Sequence, residues 1–245
     1  MKHQYRFLVE KKQGTQEWKI SKDELHHLKK VLRLTIGDQI EFFDGYGYAG
    51  SGELLNWDGD IKIISSTQHA EPAQKLAVAV GILRPSNADD LIPQLIEAGV
   101  DEIFFFLQQG TSKQYASSKV QERWARIAVS SARQCKRPFL PKFRIFNSIS
   151  DMIGCVGHFC AKIQLEPDAE LSLIHSDRLL QGDVCIVIGS EKGLYAEEKE
   201  LLSDNNFQPC HIGQNVLRAT TAAVIATGIA SMRILESSAL REVSP

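Results

Sequence analysis

From Tyr5 to about Ser66, apolar and polar residues alternate in short segments: RFLV, then QIEFFDGYGYAGSGELL, then DIKIIS. Asp44-Gly45, Gly47, Gly50 and Gly52 interrupt them. A period of two broken by turn residues predicts a small β-barrel or sandwich. One helix is expected inside it, over residues 21–32. Ser21 stands as its N-cap and Glu24 falls three residues on, the spacing of a capping box.

After a linker at residues 67–74, which carries Pro72, the pattern changes. Residues 76–83 are almost continuously apolar, as parallel strands covered on both faces are. A helix follows from a cap at Ser86 or Asn87 to Gly99, where a C-terminal glycine belongs. Next come a strand at 102–107, helices at 119–136 and 148–156, and strands at 159–165 and 184–188. A helix at 196–203, a strand at 210–212 and a long helix from about 219 to 237 complete the chain. Strands alternating with helices predict a layered α/β domain with a mainly parallel sheet. The expected division is 1–70 for the β-rich domain and 71–245 for the α/β domain.

Composition adds little until it is resolved along the chain. The net charge is −2 and the hydrophobic fraction 43%, enough for a large core. No apolar run is long enough to span a bilayer, and MKHQYRFLVEKK does not resemble a signal peptide. Five cysteines, odd in number and without CxxC pairs, do not form a disulfide framework. A soluble cytoplasmic protein is expected. Between Thr111 and Phe146, however, nine Lys or Arg stand against the single acid Glu122, an excess of eight positive charges. Such an excess is the footprint of a phosphate-binding surface, or of a solvated basic face.

The helix in this region sharpens the choice. At 100° per residue, Val120, Trp124, Ile127, Ser131 and Cys135 share one stripe, and Lys119, Arg123, Arg126, Arg133 and Arg137 cluster opposite. Guanidinium forks suit bidentate phosphate contacts, which favours nucleic acid.

Two glycine-bearing loops carry the other candidate chemistry. Strand 184–188 runs into Gly189-Ser190-Glu191-Lys192-Gly193, and His211-Ile212-Gly213 leads through Arg218 to a helix of small residues. Loops at the carboxyl ends of strands are where α/β sheets hold small molecules. Neither GxGxxG after the first strand of this domain nor GxxxxGK[ST] occurs, so dinucleotide and P-loop binding are unsupported. Cys155, His158 and Cys160 lack a fourth ligand at a zinc spacing.

Ordered motifs along nearly the whole chain resemble one family. They are His26-His27 through Leu32-Arg33, Gly37-Asp38 and Phe43-Asp44-Gly45, then Ala98-Gly99-Val100 and Trp124 to Ile127. Gln134-Cys135-Lys136-Arg137 with Pro141, Ile188 to Leu194, and Ile212-Gly213 with Leu217-Arg218 and Thr221-Ala222 continue the series. Together they are similar to the RsmE-type enzymes of the SPOUT superfamily, which methylate N3 of a uridine in 16S, small-subunit, ribosomal RNA. The resemblance implies a PUA-like β-barrel followed by a SPOUT α/β domain with a trefoil knot. It implies a homodimer acting on ribosomal RNA or the small subunit, with S-adenosyl-L-methionine as cofactor and no metal.

By the same resemblance Ile188, Gly189, Glu191, Gly193, Ile212, Gly213, Val216 and Leu217 would form the cofactor pocket. Arg218 would act at methyl transfer, and Arg6, Arg33, Arg123, Arg126, Arg133 and Arg137 would contact RNA. The chain departs from the family pattern at Ser190 (proline there), Lys192 (glycine) and Thr220 (an acid). A lysine forced to positive φ at 192 would cost about 1 kcal/mol or more. A relative of the same fold that binds RNA, with a different RNA target or little methyl transfer, is the alternative these departures keep open.

Overall fold

The computed structural model describes residues 5–12, 17–21, 24–25, 28, 32, 34–82, 84–111 and 117–243. Arg33, His26 and His27 lie outside the described residues, as does most of the helix expected at 21–32. Of that helix, Glu24, Leu25 and Leu28 are helical. The chain divides into two compact units, Met1–Glu71 with Val129–Leu140, and Pro72–Ala128 with Pro141–Pro245.

The first unit is a closed five-stranded barrel. Its strands are β1 (Arg6–Lys11), β2 (Trp18–Ile20), β3 (Gln39–Phe43), β4 (Tyr48–Leu54) and β5 (Asp60–Gln68), in the order β1-β2-β5-β4-β3. Parallel pairing of β1 with β3 closes it, Arg6 facing Glu41 and Leu8 facing Phe43. The alternating apolar positions Phe7, Val9, Ile40, Phe42, Leu54 and Ile61 fill the interior with Ile20 and Leu28. At the β3–β4 turn the Asp44 carboxylate accepts from the backbone N–H groups of Tyr46 and Tyr48, at 2.7 and 3.0 Å.

Residues 129–140 belong to this unit through specific bonds. Gly47 N–H donates to the Pro138 carbonyl and Leu140 N–H to that of Gly45. Lys136 pairs with Glu41 at 3.0 Å, and Arg133 with Glu24 at 3.2 Å. β2, with only three residues, was not anticipated from the sequence.

The second unit is a six-stranded parallel sheet in the order β11-β9-β10-β6-β7-β8. Its strands are β6 (Leu76–Gly81), β7 (Glu102–Phe106), β8 (Lys142–Phe146), β9 (Ala161–Leu165), β10 (Val184–Ile188) and β11 (Gln208–Cys210). The helices are α1 (Pro85–Glu97), α2 (Ser118–Gln134, which continues into the first unit), α3 (Ile149–Cys155), α4 (Ala196–Asp204) and α5 (Ala219–Val243).

Successive strand residues point to opposite faces. One face, with Ala77, Ala79, Phe104, Phe106, Cys185 and Val187, packs on Met152, Val156, Leu202 and Phe207 from α3, α4 and their flanks. On the other face α5 lies against β6, β10 and α1. Its small residues Ala223, Ala226 and Ala230 are fully buried there, at the spacing of one helical stripe.

Several details differ from the sequence expectations, among them β11, which ends at Cys210 where a strand over 210–212 was expected. Helix α1 has its N-cap at Arg84 rather than Ser86 or Asn87, and no side chain caps it. Pro85 at its first turn explains this, since a fixed φ and a missing N–H suit that position. Strand β8 occupies a stretch in which no strand was expected, and helix α2 ends at Gln134. Lys136 there takes φ +58.

Trp124 buries the apolar stripe of α2, its ring 4.5 Å from that of Phe105. Its Nε1–H has no hydrogen-bond partner. Trp124→Ala is therefore expected to cost about 3–5 kcal/mol in denaturant unfolding. Trp124→Phe should cost much less, because it also removes the orphaned donor.

Candidate active site

The strands β9, β10 and β11 are neighbours or next neighbours in the sheet, and all three end at the same edge. Beyond their carboxyl ends lies a pocket of about 880 Å³, lined by residues following each strand and by one side of α1. This volume suits a ligand the size of a nucleoside derivative.

All eight residues assigned to cofactor by sequence line this pocket, and so does Arg218. Ile188 is buried at the end of β10 and Val216 is 83% exposed at the rim. The lining also holds Asp90, Glu166, Asp168 and Glu191 against Lys192, Lys199 and Arg218. Glu166 and Lys199 pair with each other, and Glu191 accepts a 2.8 Å bond from the Asn87 amide.

The first loop is a tight fold of backbone on backbone. Gly193 N–H donates to the Ser190 carbonyl at 2.9 Å. A Cβ at Gly189 would sit 2.2 Å from the Gly193 carbonyl carbon and 2.4 Å from Leu194 N, so only glycine fits. Gly193 has φ +76, whereas Lys192 lies outside the positive-φ region. The lysine therefore carries no backbone strain. It extends an exposed cation at the pocket lining.

The second loop is anchored by His211, whose Nδ1 accepts from Gly213 N–H at 3.2 Å. The Leu171 and Leu173 backbones bracket the His211 peptide. Arg218 immediately precedes α5 and its carbonyl accepts the Ala222 N–H. No acid stands in the first turn of α5, because Thr220 occupies that position.

Sequence reasoning missed Gln108. This buried residue follows β7 and hydrogen-bonds the first loop at both ends. The available signal was a polar residue placed directly after the five-residue apolar run 103–107, at the carboxyl edge of the sheet.

Cys210 also lines the pocket. Burial raises its thiol to about 11, partly offset by a hydrogen bond with Ser176 and by Arg178. Burial, with Glu102 adding to it, raises Cys185 to about 12. Neither thiol is a nucleophile at neutral pH. Iodoacetamide at pH 8 should label Cys135, Cys155 and Cys160, which are exposed, and spare Cys185 and Cys210. Mass spectrometry of the native protein checks this. Because both folded values lie above the ordinary 9.0, the neutral thiols stabilise the fold fully below pH 9, and that contribution is lost as pH rises toward 12.

The arginines expected on RNA fall into different environments. Arg6 is only 8% exposed. Its guanidinium stacks over Phe43 at 4.6 Å and donates to the Arg137 carbonyl at 3.3 Å, so it serves the interior of the barrel unit instead of a surface. Burial lowers its pKa, opposed by Glu41. Arg133 is committed to Glu24, and Arg123 is paired with Asp89 at 2.7 Å. Arg126 is exposed, with one long bond to the Glu122 carbonyl. Arg137 is partly exposed.

The zinc candidates are apart from any donor cluster. No group of three or more potential metal ligands occurs among the described residues, and His158 lies against the Phe159 ring at 4.4 Å. Nor is any described helix long and apolar enough to cross a membrane.

A parallel sheet whose carboxyl edge carries two glycine loops around one pocket, preceded by a small β-barrel, defines a two-unit α/β protein with a small-molecule site. Residues 70–231 match the family model described as RNA methyltransferase domain, and residues 20–61 that of the RNA methyltransferase PUA domain. The chain belongs to the RNA methyltransferase domain family.

Among its relatives is "Ribosomal RNA small subunit methyltransferase E 1" of Borreliella burgdorferi, 29% identical over 219 residues, covering 85% of this chain and 90% of the relative. A Bacillus subtilis protein, "Ribosomal RNA small subunit methyltransferase E", is 26% identical over 84% of this chain and 86% of its own. The fold matches that of a Neisseria gonorrhoeae ribosomal RNA small subunit methyltransferase E bound to S-adenosyl methionine. That match has a TM-score of 0.82, 23% identity and coverage of 95% and 98%. A predicted RNA methyltransferase from Thermotoga maritima matches with TM-score 0.73 and 29% identity, over 95% and 99%.

Proposed function

We propose that this protein transfers the methyl group of S-adenosyl-L-methionine to N3 of a uridine in small-subunit ribosomal RNA. The observation that supports this reading most is the convergence of both glycine loops and Arg218 on one pocket. Residues 188–193 and 212–217 would hold the cofactor through backbone groups that the Gly189 approach and the Gly193 φ bring inward. When bound, S-adenosyl-L-methionine supplies an electrophilic methyl on a sulfonium. The protein's part is to position the base and to stabilise the anion left when N3 loses its proton. Arg218 suits that role. The residue immediately precedes α5 and lines the pocket, and the helix N-terminus there also favours negative charge.

Of the arginines on α2, Arg126 is the best placed to meet RNA phosphate. Arg126→Ala is expected to reduce the slope of log affinity against log salt by about one, read by filter binding across a salt series. A homodimer is part of the same proposal. Ile225, Met232 and Leu235 are exposed on α5 and lie on one side of it at 100° per residue. Sedimentation velocity should give a mass near twice that of the chain.

The decisive experiment offers purified protein and S-adenosyl-L-methionine to unmethylated small subunits and seeks N3-methyluridine by mass spectrometry. Cofactor binding without any methylated nucleoside would favour the RNA-binding relative with little transferase activity, a reading that Thr220 in place of an acid supports.

A further inference from the structure

We infer that Gln108 is a positioning residue that holds the first glycine loop in its ligand-binding shape, an inference that rests on the proposed use of that loop for S-adenosyl-L-methionine. One amide ties both ends of the loop. Gln108 Oε1 accepts the Ser190 N–H at 2.9 Å, and Nε2 donates to the Gly193 carbonyl at 3.0 Å. The second Nε2 hydrogen goes to Glu198 Oε2 at 2.6 Å, and that same oxygen accepts the Tyr195 N–H at 2.9 Å. The end of β7, the loop after β10 and the first turn of α4 are thereby joined through one buried side chain.

Space for this arrangement is reserved by Gly81 at the end of β6. A Cβ there would lie 2.4 Å from Gln108 Oε1 and 2.6 Å from Ser190 N. Gly81, Gln108, Ser190, Gly193 and Glu198 thus form one set. Both Nε2 hydrogens are used, and the acceptor is matched to a backbone donor, so no other side chain of similar size supplies the same pattern. A side chain filling a gap in the core would not need to satisfy two loop termini and a helix cap together. The backbone between those termini lines the pocket, so its shape sets how much a ligand must reorganise it on binding.

The test uses the full chain and three readouts. Gln108→Leu removes the side-chain partners of Ser190 N–H and the Gly193 carbonyl. It is expected to weaken S-adenosyl-L-methionine binding about tenfold while RNA affinity stays unchanged. Equal losses for both ligands, or cofactor affinity within about twofold of the parent protein, would overturn the assignment. Gln108→Glu sets a carboxylate against Glu198. Like charges raise its pKa, so cofactor affinity should be low at pH 8 and recover as the pH falls and the donor returns; a flat profile would count against it. Amide exchange at Ser190 in the absence of ligand should accelerate in Gln108→Leu, and unchanged protection would refute the clamp. This last measurement stands apart from the proposed activity. A parent protein that binds no S-adenosyl-L-methionine would sink that activity, and the exchange result would still decide whether Gln108 shapes the loop.

Discussion

Gly189→Ala is expected to abolish S-adenosyl-L-methionine binding and to lower the melting temperature by roughly 2–12 °C, on a cost of about 1–3 kcal/mol for overpacking. The added methyl meets main chain, with the Gly193 carbonyl carbon at 2.2 Å and Leu194 N at 2.4 Å. A flexible side chain could swing aside, but these atoms can move only by opening the loop. The loop in turn is tied to Gln108 and to the cap of α4, so the displacement spreads into the pocket wall. Scanning calorimetry and titration calorimetry read the two effects. Full cofactor affinity in a destabilised Gly189→Ala protein would place the cofactor elsewhere.

Arg218→Ala should do the opposite. Turnover is expected to fall about 100- to 1,000-fold, the loss typical of removing one charge-stabilising donor, while cofactor affinity and melting temperature stay near those of the parent. Arg218 is exposed, and its structural bond to α5 is made by its carbonyl, which alanine retains. Single-turnover methylation with saturating cofactor separates the chemical step from binding. Parallel loss of cofactor affinity and rate would remove Arg218 from the chemistry.

Much of this site was legible because its determinants are local. β10 was read with its observed ends because five apolar residues lie between Asp183 and Gly189. The two loops were found because glycine punctuates the carboxyl ends of strands, and their meeting at one pocket follows from parallel pairing of β9 with β10 and β11. What escaped depended on distant partners or on competing signals. β8 alternates Lys142, Phe143, Arg144, Ile145 and Phe146 as an edge strand would, yet its lysine and arginine read as more of the basic run. Arg6 is expected on RNA by resemblance alone, and nothing local in the sequence shows that its guanidinium donates to the carbonyl of Arg137, 131 residues away. The role of Gln108 escaped because its three partners lie 82 to 90 residues further on, and a polar residue after an apolar run does not name them.

The bonds from residues 129–140 to the barrel bear on how the chain is made. The strands of the barrel are complete by Gln68, yet Gly45, Gly47, Glu24 and Glu41 also bond to Leu140, Pro138, Arg133 and Lys136, far later in the chain. At a translation rate of about 5–20 residues per second, those partners leave the ribosome several seconds after the last strand does. Until then the bonds of Gly45 and Gly47 to residues 138–140 and the ion pairs of Glu24 and Glu41 with Arg133 and Lys136 are not yet made. A nascent chain paused between these points would hold a barrel that has closed its ladder but still lacks its strap, and a chaperone acting on this protein would meet it in that interval.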